Sequence, residues 1–230
     1  MSIVFEGAGL TVDTPDGSRV VLAPTTLELA EHRIAVVGAN GSGKSTLARM
    51  INGLVAPSAG RVLVDGFDPA RDGREVRRRV GFCFTDPAAQ LVMPTCAEDI
   101  ELSLRRTVKD AHLRRQRALQ VLERHGLVDH ADASVHTLSG GQKQLLALAG
   151  VLAVEPSVVI ADEPTTLLDL ANTRRIGDLL LGLEQQLVLV THDLDLAARC
   201  DRGIVVADAR VVYDGPAAAA VDHYVASVPA

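Results

Sequence analysis

Ile34-Ala35-Val36-Val37-Gly38-Ala39-Asn40-Gly41-Ser42-Gly43-Lys44-Ser45 sets the terms for everything else in this chain. Its first four residues are apolar and mostly aliphatic or β-branched, as in a strand buried within a parallel sheet. A glycine-rich turn follows. Leu47, Met50, Ile51 and Leu54 then recur at i, i+3, i+4 and i+7, which predicts one apolar face of a helix that Gly53 terminates. Strand, turn and helix in that order give the Gly-x-x-x-x-Gly-Lys-Ser pattern the context it requires. Glycines let backbone N–H groups turn inward around a chain of phosphates, and the helix N-terminus adds positive potential there. Gly38, Ala39, Asn40, Gly41, Ser42 and Gly43 form that loop, with Lys44 reaching the β and γ phosphates of a nucleotide. Ser45 is placed for Mg²⁺ and Thr46 for the α or β phosphate.

Outward from this unit the same α/β logic repeats. Val158 to Ala161 is an unbroken apolar strand, Ile176, Leu179, Leu180 and Leu183 mark an amphipathic helix, and Leu187 to Val190 is another buried strand. Ile204 to Ala207 and Arg210 to Tyr213 read as a closing hairpin across Asp208-Ala209, a turn without glycine. Between about 86 and 153 the strand pattern gives way to helical spacing, around 97–106, 110–125 and 139–153. This predicts an α/β core with a mostly parallel sheet over about 1–85 and 154–214, a helical lobe inserted at about 86–153, and a short Ala-rich tail at 215–230.

Composition narrows the class. The 230 residues are 47% hydrophobic and 23% charged, as in a globular protein rather than a disordered one. A net charge of −6 opposes broad nucleic-acid binding, which needs a positive field. Cys83, Cys96 and Cys200 lack the spacing of a disulfide framework or zinc site, so a reducing cytoplasm is expected. The first residues lack the pattern of a secretory leader, and the longest apolar run, Leu145 to Val154, is too short to span a bilayer. Arg71 to Arg79 and Arg105 to Arg117 read as solvated helix faces, and His125, His130 and His136 have no ligand spacing.

Val158 to Asp162 carries an acidic pair, Asp162-Glu163, to the carboxyl edge of the sheet, where ligands of open α/β sheets bind. Asp162 is expected to hold Mg²⁺, directly or through water, and Glu163 to polarise the attacking water as general base. Alone, the pair before Pro164 would sooner read as an acidic helix-cap turn; the phosphate loop reverses that preference. Leu138-Ser139-Gly140-Gly141-Gln142 opens a further helix, with Ser139 able to cap it and two glycines exposing N–H groups to an anion.

With all three motifs present in this order, residues 3 to 214 resemble the ATPase subunit of ABC transporters. The resemblance implies a RecA-like P-loop core with N-terminal antiparallel strands and an inserted helical lobe, and ATP hydrolysis in a head-to-tail dimer, where Ser139, Gly140, Gly141 and Gln142 of one subunit complete the site on the other's Lys44. Thr165 to Asp169 matches the D-loop, with Asp169 crossing the seam, and His192 matches the switch histidine that contacts the γ phosphate. A homodimer is the simpler fit, a heterodimer with a related ATPase the alternative. Asp86-Pro87-Ala88-Ala89-Gln90-Leu91, Pro94-Thr95 and Glu98-Asp99 look like the corresponding stretch of energy-coupling factor ATPases, most of all those of biotin importers. That implies a transmembrane scaffold subunit and a substrate-capture membrane subunit as partners, at the cytoplasmic face of the membrane, with no nucleic acid. Thr95 and Glu98 would also serve as a plain capping box.

Two positions depart from the family. Thr85 stands where the Q-loop glutamine is usual, and Gln90, five residues on, matches the extra glutamine of the narrower group. The aromatic that stacks on adenine falls near Thr14-Pro15-Asp16-Gly17, where the chain has none, so the platform is expected to be missing or aliphatic. The rival readings are the ATPase of a binding-protein-dependent importer, a soluble non-transport ABC ATPase, and a P-loop kinase, which leaves the 138–142 helix without a purpose.

Overall fold

A computed structural model describes residues 2–15 and 17–228; Asp16 of the expected adenine-side turn and the last two residues of the predicted tail lie outside the described residues. The chain opens with β1 (Ile3–Thr14), β2 (Gly17–Leu29), β3 (Arg33–Val37) and α1 (Lys44–Ile51). It continues through β4 (Ala59–Val64), α2 (Gly73–Arg79) and β5 (Val80–Cys83) to three helices, α3 (Cys96–Leu104), α4 (Ala111–Arg124) and α5 (Gly140–Leu152). Then follow β6 (Val158–Asp162), α6 (Leu170–Leu181), β7 (Gln186–Val190) and α7 (Leu194–Ala198). The chain closes with β8 (Arg202–Ala207), β9 (Arg210–Pro216) and α8 (Ala217–Ser227).

Six strands form the main sheet in the order β5-β6-β7-β3-β8-β9, parallel except for the last pair. Period-two alternation splits each central strand between two cores. Ala35, Val37, Val159, Ala161, Leu187 and Leu189 face a core filled by α3 to α8. Ile34, Val36, Val158, Ile160, Val188 and Val190 face a second core under α1 and the antiparallel sheet β2-β1-β4. Among the described residues no strand interrupts the chain between β5 and β6, and the helices there share their core with the sheet.

Helix α1 ends at Ile51, earlier than the apolar spacing predicts. Gly53 turns left-handed at φ 75°, and Leu54 lies beyond the helix, half exposed. Leu183 likewise falls past α6, though it still packs on the first core. The closing hairpin forms as the spacing predicts, with Asp208 and Ala209 both left-handed (φ 49° and 60°), as a two-residue type I′ turn requires. The arginine-rich runs are solvated: α2 buries only Val76, and Arg114 and Arg115 pair with Glu101.

Helix α8 seats on β8 through Gly203, where a β-carbon would sit 2.4 Å from Cβ of Ala220 and 3.0 Å from Cα of Ala217. Gly203→Val should therefore lift α8 off the sheet at a cost of ~1–3 kcal/mol. Thermal denaturation would register this at roughly 2–4 °C per kcal/mol for a chain of this size. An unchanged midpoint would mean that the helix does not depend on this contact.

Candidate active site

Strands β3, β6 and β7 are adjacent and parallel, so their carboxyl ends deliver three segments to one edge. These are the loop 38–43, the pair Asp162-Glu163, and Thr191-His192. The loop's path needs its first glycine: Gly38 has φ 147°, and a β-carbon there would lie 2.0 Å from the carbonyl oxygen of Val206. Lys44 is buried, and its Nζ donates to the carbonyls of Gly38 and Ala39, both at 2.8 Å. Burial pushes the Lys44 ammonium below the usual lysine range, against the opposing pull of Glu163 and Asp162. Ser42 Oγ is buried without a hydrogen-bond partner among the described residues, a polar atom free for a ligand.

Asn40, Gly41, Gly43, Lys44, Ser45 and Thr46 line one cavity of about 500 Å³ together with Thr85, Glu163, Thr166 and His192. Asp162 is fully buried just outside this lining, behind Ser45. Ser45 Oγ donates to Asp162 Oδ1 at 2.8 Å, and Arg49 reaches Oδ2 at 3.0 Å. Sequence reasoning missed Arg49, although its helical spacing of four from Ser45 places both on one face of α1.

Glu163 occupies the left-handed region at φ 56°, a strain on the order of 1–3 kcal/mol for a residue with a side chain. Its N–H donates to the carbonyl of Val190 at 2.9 Å, fixing the turn to β7. Glu163 Oε1 lies 2.9 Å from His192 Nδ1, and Oε2 accepts from the Thr166 hydroxyl at 3.1 Å. The lone pairs of that hydroxyl face His192 Nε2 at 3.2 Å, closing a three-membered ring of contacts. Burial raises the Glu163 carboxyl above the ordinary carboxylate range, while His192, Thr166 and Lys44 act in the other direction. In the sequence Thr166 stood out only as part of the run 165–169; its place in this ring was not legible there.

Ser139, Gly140, Gly141, Gln142, Asp169 and Gln90 are not part of this cavity's lining. Ser139 caps α5 by accepting from the Gln142 N–H, and the Gln142 side chain returns to the Ser139 N–H, so both ends of the capping box are made. Gln142 also meets His130 at 3.0 Å, a histidine without an expected role. Gly140 and Gly141 open α5, and Gly141 lies against Asn172 of α6. Asp169 caps α6 through the Asn172 N–H, which with the Asn172 amide holds its carboxyl below the usual range.

The Thr85 hydroxyl donates to the backbone carbonyl of Asp162 at 2.8 Å, so its hydrogen is committed within the chain. Gln90 accepts from the Phe84 N–H at 3.2 Å and donates to the Ala147 carbonyl of α5 at 3.1 Å, joining strand end to helix. Thr95 and Glu98 form the full capping box of α3, and Asp99 accepts from the N–H groups of Val92 and Met93. Thr14 does not line the cavities beside the phosphate loop. It sits in the β1–β2 turn, bonded to the Gly17 carbonyl.

The profile of the family described as "ABC transporter" matches residues 25–166. The biotin transport ATP-binding protein BioM of Rhizobium etli is 42% identical over 224 residues, covering 97% of this chain and 98% of that protein. The energy-coupling factor transporter ATP-binding protein EcfA1 of Symbiobacterium thermophilum is 40% identical over 221 residues, covering 91% and 77%. Among solved structures, a dimeric ATP-binding cassette in a post-hydrolysis state with ADP and Pi superposes with a TM-score of 0.83 at 30% identity, covering 94% of this chain and 98% of that one.

Proposed function

The chain belongs to the ABC transporter family as an ATP-hydrolysing subunit, and from that premise we propose that it powers an energy-coupling factor importer of a small nutrient, a vitamin such as biotin or a transition metal. The observation that carries the enzymatic half is the meeting of Lys44 and Ser45 with Glu163, Thr166 and His192 around one cavity. The importer half rests on the relatives' names and on the stretch from Asp86 to Asp99.

In this reading the loop 38–46 takes the triphosphate. Its N–H groups and the orphaned Ser42 hydroxyl turn to the phosphate oxygens, and Lys44 leaves the Gly38 and Ala39 carbonyls for the β and γ phosphates. Ser45 and Asp162 present two hard oxygen donors 2.8 Å apart, which suits an ion that keeps its other positions for phosphate and water, so the residues fit Mg²⁺. When bound, Mg²⁺ would neutralise charge gathering on the β and γ phosphates. Glu163, with a carboxyl raised toward working pH by burial, accepts the proton of the attacking water. His192 and Thr166 fix the direction in which its carboxylate points, and His192 would turn from Thr166 to meet the γ phosphate. Ser139, Gly140, Gly141 and Gln142 act on the site of a second copy, with Asp169 at the seam. Thr85, just ahead of the lobe of residues 86–153, and Gln90 within it pass motion to the membrane subunits.

Among the described residues no helix is long and apolar enough to cross a membrane, so the membrane steps belong to partners in this reading. Affinity purification from native membranes should recover a transmembrane scaffold subunit and a separate substrate-capture subunit. The intact complex should take up labelled biotin, or cobalt or nickel ions, only with ATP. Recovery of a permease pair that depends on a soluble binding protein, or of no membrane protein, would overturn the importer assignment.

A further inference from the structure

A second cavity of about 510 Å³ adjoins the phosphate cavity, within the ~300–1,000 Å³ usual for small-molecule sites. Its walls come from β1, β2 and the β8–β9 turn, including Thr11, Val20, Pro24 and Ala209. The two cavities have Arg19 and Gly41 in common, and Glu163, Thr166 and His192 line only the first. The second cavity therefore opens off the phosphate loop at its junction with β2, where the ring of Glu163 contacts has no part. A nucleotide with its terminal phosphate beside Glu163 would carry its base toward that junction.

The second cavity is lined by no aromatic ring. Of the two residues shared by both cavities only Arg19 has a side chain, and it ends in a flat, delocalised cation. Arg19 lies on β2 opposite Val12 and is exposed, and among the described residues its guanidinium makes neither a hydrogen bond nor an ion pair. Guanidinium planes stack on nucleobases as aromatic rings do, through cation–π attraction and weak hydration. The geometry points to Arg19 as the platform on which the nucleotide base stacks in the second cavity, a cation in the role that the sequence left missing or aliphatic. This rests on the adjoining cavity being the phosphate site of ATP. A stacked guanidinium is indifferent to the groups on the purine edge, so ATP and GTP should bind alike.

The test is equilibrium binding of ATP, GTP and inorganic tripolyphosphate to the wild type, Arg19→Ala and Arg19→Tyr, by calorimetry. Arg19→Ala should weaken ATP and GTP by about five-fold, the scale of one exposed cation–π contact, and leave tripolyphosphate unchanged. Arg19→Tyr should restore ATP binding. Equal weakening of tripolyphosphate would make Arg19 a contact for phosphate charge and overturn the assignment, as would ATP binding unaltered in Arg19→Ala. A wild type that binds neither ATP nor tripolyphosphate would instead bring down the phosphate site itself.

Discussion

Glu163→Gln should bind ATP about as well as the wild type, hydrolyse it on the order of 10²–10⁴ times more slowly, and accumulate as an ATP-bound dimer. The substitution keeps the shape of the side chain. Its oxygen can still accept from Thr166, and the contact to His192 is retained in length, so the loop from Asp162 to Thr166 has no reason to move. What is lost is a site for the proton of the attacking water. Without that step the nucleotide stays intact, and two subunits held together by it stay closed. Steady-state assays and size-exclusion chromatography with Mg-ATP would read both effects. Turnover near the wild-type rate would assign the base elsewhere.

Ser139→Arg should abolish hydrolysis almost as fully, while ATP still binds the single subunit. Ser139 does not line the cavity around Lys44, so a bulky cation there leaves binding within one copy untouched. Placed against the nucleotide of a second copy, it would block the approach of the 138–142 segment. The lost cap offers a competing explanation, but a cap is worth ~1 kcal/mol, only about 2–4 °C in melting temperature for a chain of this size. Mixing the Ser139→Arg and Lys44→Ala proteins, each inactive, should regain part of the activity. Each mixed dimer then holds one site with both Lys44 and Ser139 intact. A normal rate in Ser139→Arg alone would end the shared-site account.

The central sheet was legible because its strands are buried on both faces and read as unbroken apolar runs, as Val158 to Ala161 and Leu187 to Val190 do. The phosphate loop, Asp162-Glu163 and the Ser139 cap were legible because local spacing creates them. β4 and β5 gave no comparable signal. β4 is exposed over half its length, and β5 has four residues. The alternation in β1 is broken by register shifts after Phe5 and again near Leu10. Contacts between remote segments were the least legible. Arg19 shares a cavity wall with the β8–β9 turn, and Thr85 meets Asp162, through folding that no local pattern encodes.

Gln90 has a consequence beyond the single pair of bonds it makes. One carboxamide rivets the end of β5 to the middle of α5, so a swing of that helix must either tear both fastenings or drag the intervening segment along. Thr85 lies on that segment and grips the main chain at Asp162. A tug applied at the far side of the lobe would thus arrive, within a few bonds, at the backbone beneath the buried carboxylate.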